Sequence, residues 1–326
     1  MKQVLAIIVL LGLFSTGDWA VAQNQNQGQQ DEGFLLDEDE PLVAPPEPVR
    51  VVGQAQTKEE FDAWTAIDQT EDLQQKAELA MDFLEFHPKS GLTPLAHQLL
   101  ALYFQQQNEY ERFVEHGEKA IAELPSSYVL LIELAVGYAE RGEVQKALAR
   151  AQLGLDGAAA AQQPGQMSLV EWTRNKERLE ADGHYALGLA NLHQSMKSSS
   201  TKAQHLNSCV EHFSKVVELE PDHDRAYLRM GRAYLGQRNA EKALEAYARA
   251  TATGGMTAQI AREQLDQLYT FIHKKTDGIE DLIKQQREYL MQQKAAKEAA
   301  LQELQNQEMQ QFILPDVGAA PPTENP

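Results

Sequence analysis

The feature that most constrains this chain is a recurrence. Small and aromatic residues return at the same places with a period of about 34 residues. The last copy is the fullest. Counted from Asp224 as position 1, Tyr227, Met230, Gly231 and Tyr234 stand at 4, 7, 8 and 11, and Ala243, Tyr247 and Ala250 at 20, 24 and 27. Pro94 to Ser127 repeats this phase with Leu100, Ala101 and Phe104, then Ala120 and Pro125. Its Phe113 and Gly117 swap the sizes found at Ala243 and Tyr247. Tyr128 to Ala161 repeats it with Leu131, Leu134, Ala135, Tyr138 and Ala147. A unit this short cannot bury its apolar face alone, so successive units must stack.

Inside each unit the apolar residues fall three and four apart, the spacing of one helix face. Ala, Leu, Glu, Gln and Lys dominate from Thr57 to about His273, and no alternating strand pattern is found there. Gly and Pro punctuate the segments rather than interrupt them. Small residues at Gly231 and Ala243 let two antiparallel helices approach, and Tyr234 and Tyr247 fill the space beside them. The expected fold is all-α. A fourth copy is interrupted: Leu187 and Gly188 match its first helix, and Cys209, Phe213, Val216 and Pro221 its second, with about nine residues too many between them. Two explanations stand, a lengthened loop near Ser198-Ser199-Ser200 or an overlong first helix starting near Ser168. Thr57 to Pro88 reads as a divergent first hairpin, and Gly157 to Gln166 as a flexible joint.

The pattern resembles the tetratricopeptide repeat, with its bulky–Leu–Gly–Tyr first helix and Ala–Phe–Ala second helix. The block FLEFHPKSG is similar to the opening of exported bacterial members. The resemblance covers roughly 57–275 and implies a right-handed α-solenoid whose first helices line a concave groove. Carried onto this sequence, it implies groove positions at Gln98, Leu102 and Gln105, at Val129, Ile132 and Val136, at Tyr185 and Leu189, and at Arg225, Leu228, Arg232 and Leu235. The same set in the unit from Tyr128 includes Glu140. The Lys and Asn of carboxylate-clamp repeats do not stand at those positions. Protein or peptide partners docking on apolar pockets are therefore expected.

The ends of the chain read differently. Lys2, the apolar run Val4 to Phe14 and Ala20-Val21-Ala22 have the layout of a cleavable signal peptide, cut after Ala22. The run is too short to span a bilayer, which takes about 20 residues. The expectation is an exported protein, periplasmic or secreted, with no membrane span after cleavage. Residues 23–56 are polar, then acidic (Asp31, Glu32, Asp37 to Glu40, Glu47), and are expected to be disordered. Phe34-Leu35-Leu36 within them could dock on the groove. Ile279 to Phe312 is expected as one Gln/Ala-rich helix that caps the last repeat and is otherwise solvated. Gln286 and Gln293 break its heptad, and residues 314–326 are Pro-rich and expected to be disordered. A net charge of −19 excludes phosphate-driven nucleic-acid binding.

No catalytic motif is present, and no cofactor is implied. His205, Cys209 and His212 share a helix face at spacings of four and three, which could suit zinc. Cys209 however occupies a small core position of the repeat, where a thiol packs as a hydrophobe. Asp222-His223-Asp224 reads as a helix start, with Asp224 the cap and His223 exposed. The functional expectation is a non-enzymatic protein-interaction scaffold. The alternative is a structural protein that self-assembles through its C-terminal helix, as a homo-oligomer.

Overall fold

A computed structural model describes residues 50–313, with side chains to residue 310. The signal-peptide, acidic-arm and Pro-tail expectations lie outside the described residues, apart from the arm's last residues. Twelve helices and no strands are found among the described residues. They are α1 Lys58–Gln69, α2 Leu73–Phe86, α3 Thr93–Gln106, α4 Tyr110–Glu123, α5 Tyr128–Arg141 and α6 Val144–Ala160. Then follow α7 Leu169–Lys197, α8 Lys202–Leu219, α9 Asp224–Gly236, α10 Ala240–Ala252, α11 Ala258–His273 and α12 Ile279–Ile313. The chain divides into two compact units, the first ending at Pro125 and the second beginning at Ser126.

In the first unit α1 pairs with α2, α2 packs on α3, and α3 pairs with α4. Thr57 caps α1 by accepting from the Glu60 amide, and the Glu60 carboxylate accepts from the Gln56 amide. The same carboxylate accepts from buried Ser90 at 2.8 Å. Arg50 ties the lead-in segment down through Glu123 at 2.6 Å, Thr93 Oγ1 at 2.9 Å and the Ser90 carbonyl.

In the second unit the hairpins are α5–α6, α7–α8 and α9–α10, each stacked on the next, with α11 on α10. The small–large rule operates at close range. A Cβ on Gly231 would lie 2.3 Å from a Tyr247 ring carbon, and one on Gly188 would lie 2.9 Å from the Phe213 ring. Only glycine admits these rings.

The interrupted unit resolves as the overlong helix. Ser168 caps α7 by accepting from the Glu171 amide. Against the α9–α10 unit, α7 runs about one turn further at its C-terminus and α8 starts about one turn earlier. The surplus residues are therefore helix, and Ser198 to Thr201 is a short connection.

Two expectations need correction. Gly157 is not in a flexible joint: α6 continues through Ala160, and Gly154 and Gly157 are contact points on α5. Their Cβ positions would lie 2.5 Å from Ile132 Cγ1 and 2.7 Å from Tyr128 Cβ. Nor does α12 stop at the last repeat. It packs on α10 and then on α7, burying Ile279, Ile283, Gln286, Leu290 and Leu301. Gln286 is tolerated because its side-chain oxygen accepts from Arg249 Nε at 2.8 Å. The far half is held by polar contacts: Lys294–Asp222, Lys297–Glu177, Arg174–Glu298, and a Glu308 oxygen accepting from the Leu169 amide at the start of α7.

Candidate partner-binding surface

The groove positions divide sharply. In the first unit Gln98 and Leu102 are buried and Gln105 is partly exposed. In the second, Val129, Ile132, Tyr185, Leu189 and Leu228 are all buried, Ile132 completely so. Ile132 packs on Gly154 of its own hairpin, so its side chain serves the hairpin and not a ligand. The expectation of an open apolar groove floor fails at these residues. Their role is to join helix to helix. What reaches solvent is Val136 and Arg225 in part, and Arg232 and Leu235 clearly.

Three first helices of the second unit meet at one cluster. Tyr185 of α7 donates its hydroxyl to Glu140 Oε1, at the end of α5, at 2.8 Å. Arg225 of α9 pairs with the same oxygen, and its guanidinium carbon lies 4.7 Å from the centre of the Tyr185 ring. Arg229, one turn on, comes within 3.8 Å of the other Glu140 oxygen. His223 stacks on the Tyr185 ring at 5.1 Å and caps α9 by accepting from the Ala226 amide. This corrects the sequence reading of an exposed His223 and a capping Asp224; Asp224 instead accepts from the Thr257 amide at 2.6 Å. Burial pushes the Tyr185 phenol up, and burial with nearby Arg229 pulls the Arg225 guanidinium down. Two cations share one carboxylate, which leaves positive charge on the α9 rim of a strongly acidic chain.

Three residues before Tyr185 on the same helix lies a less expected feature. Asp182 of α7 is held well above the usual carboxylate range, to about 8, by burial and by the charges of Glu133 and Glu220, with Arg178 acting in the opposite sense. Part of the residue reaches the surface, but protein surrounds its carboxyl.

The zinc idea does not fit. Cys209 is completely buried, and burial pushes its thiol up to about 12. His212 turns to His184, and His205 to Asn191 Oδ1. No group of three metal-ligating side chains occurs among the described residues. The first unit has a cavity of about 730 Å³ beside Arg50, Lys89, His97 and Glu123. No sequence pattern signalled it, because its wall comes from the lead-in segment as well as from the hairpins.

The family model for the tetratricopeptide repeat matches residues 202–265, from α8 through α9 and α10 into α11. That is the stretch where Gly231 meets Tyr247 and Gly188's partner Phe213 sits. The matched stretch is a tetratricopeptide repeat, within a chain that is an all-α helical repeat. No curated protein matches it. Among solved structures it is similar to MamA, at 16% identity over 64% of this chain and 96% of that one, with a TM-score of 0.39. It is also similar to pilF of Pseudomonas aeruginosa, at 20% identity over 67% of this chain and all of that one, with a TM-score of 0.42.

Proposed function

We propose that this helical-repeat protein is a non-enzymatic scaffold whose second unit docks a partner polypeptide along the exposed rim of α9. The observation that supports this reading is the division of labour among first-helix residues. Tyr185 joins α7 to α5, Ile132 packs within its own hairpin and Leu228 is buried, while Arg232 and Leu235 on α9 face outward. A rigid helix presenting a cation beside an apolar side chain suits an acidic segment with an apolar anchor. The reading includes export, supported by the sequence of residues 1–22, so the partner would be met in the periplasm or outside the cell. None of the described helices is long and apolar enough to cross a membrane.

The self-assembly alternative has less apolar surface to draw on, because α12 buries Ile279, Ile283, Leu290 and Leu301 within the same chain, while Tyr289, Met291 and Met309 stay exposed. The test is a photo-crosslinking residue at position 232 in the full chain in its native cells, with a control at Leu153 on α6. A discrete adduct from 232, lost with Arg229→Glu and Leu235→Asp and not seen from 153, supports docking. Equal adducts from both positions would refute it, and adducts of the chain with itself would restore self-assembly.

A further inference from the structure

Two of the hairpins carry a half-buried histidine pair at the same repeat positions. In α3–α4, His97 at position 4 faces His116 at position 23, with Nδ1 atoms 2.9 Å apart. In α7–α8, His184 and His212 hold positions 4 and 23, with Nδ1 atoms 3.2 Å apart and rings 27° from parallel. The surrounding sequence is shared too: Glu115-His116 with Lys119, and Glu211-His212 with Lys215. The hairpins between and after them have no such pair, holding Leu131 with Arg150 and Tyr227 with Ala246 at those positions. Each pair bridges the first helix of its hairpin to the second.

We propose that the two histidine pairs are an acid-operated catch, closed at neutral pH and released when each pair takes its second proton. A contact between two Nδ1 atoms needs one ring to donate and the other to accept, so at least one imidazole must be neutral. One proton added to a pair can be accommodated by the bridge. A second makes two cations about 3 Å apart in partly buried surroundings, and their repulsion acts directly between the two helices. Burial already holds all four rings below the usual histidine range, His97 at about 4. In the first unit Lys119 opposes protonation of both rings and Arg112 that of His116, while Glu115 favours it at both and Glu123 at His97. Arg50 and Lys89 line the cavity beside His97. In the second unit Lys215 opposes protonation of His184, and Glu211 favours it at both rings. Asp182, two residues from His184, faces Glu133, Glu220 and Arg178 and is neutralised by acid, which acts in the opposite direction. The first unit is therefore the cleaner responder. The geometry requires no particular partner and is independent of the docking proposed above.

The test is histidine-selective NMR of the full chain from pH 8 to pH 4, with hydrogen exchange at pH 7 and pH 4.5. The expected result is two separated titration steps per pair, the lower step of the His97–His116 pair falling below pH 5, and at least a tenfold faster exchange at pH 4.5 in α3–α4 than in α5–α6, relative to pH 7. His97→Gln with His184→Gln should remove most of that acid response; if this variant fails to fold at pH 7, His116→Phe with His212→Phe replaces it. Four histidines titrating independently near 6.5, or an acid response equal across the hairpins, would overturn the proposal.

Discussion

The Tyr185 hydroxyl and the Glu140 carboxylate, 2.8 Å apart, join the second helical hairpin of the larger unit to the first, and Arg225 closes the same contact from the third. Three repeat units that could slide are thereby fixed at one point. Because the carboxylate accepts from both Tyr185 and Arg225, losing either donor leaves it a partner, whereas losing Glu140 strands a buried phenol beside two guanidinium groups.

Glu140→Ala should therefore cost more stability than Tyr185→Phe. The phenol's hydrogen bond is worth about 1 kcal/mol. A double-mutant cycle between Glu140 and Arg225, read by urea unfolding, should give a coupling of about 0.5–1 kcal/mol for this half-exposed pair. Strict additivity would show that the contact is not a fastening.

Gly231→Ala should destabilise the second unit by about 1–3 kcal/mol, since the new methyl would lie 2.3 Å from the Tyr247 ring. Gly165→Ala, with open space around it, should stay within about 0.5 kcal/mol of the parent. Thermal unfolding of the two variants side by side decides this, and equal midpoints would contradict the packing rule.

The raised Asp182 pKa makes a signed prediction about pH. The folded state binds this proton more tightly than the unfolded chain, so its contribution is fully present below about pH 4, is lost progressively as pH rises, and is gone above about 8. Asp182→Asn should flatten that slope and raise stability at pH 8 more than at pH 5. A variant whose stability relative to the parent is the same at both pH values would show Asp182 to be an ordinary surface carboxylate.

Removing residues 291–326 should loosen the start of α7, because Glu298 and Glu308 hold Arg174 and the Leu169 amide. Faster amide exchange over 169–178, with α9 unchanged, is the expected outcome. High salt should produce a weaker version of the same effect, since the outer half of α12 is held mainly by charge.

The hairpins were legible in the sequence because glycine–aromatic pairs such as Gly231 and Tyr247 leave a local, periodic mark. The path of α12 was not, because its seat on α7 depends on Lys297, Glu298 and Glu308 meeting Glu177, Arg174 and Leu169, far away in sequence. The surface was legible only in part. Repeat phase locates Tyr185 and Ile132 on the right helices, but not that Gly154 and Glu140 absorb them. The histidine pairs could have been found by aligning His97 with His184 and His116 with His212. Single histidines on helix faces carry little signal until the two helices are set against each other.

The central claim is that α9 presents the docking rim. It is tested most directly by hydrogen exchange of the full chain alone and with the partner captured at position 232. The account predicts slowed exchange across Leu228 to Gly236 with α6 unchanged. Slowing confined to α6 or α12, with α9 unaffected, would contradict it.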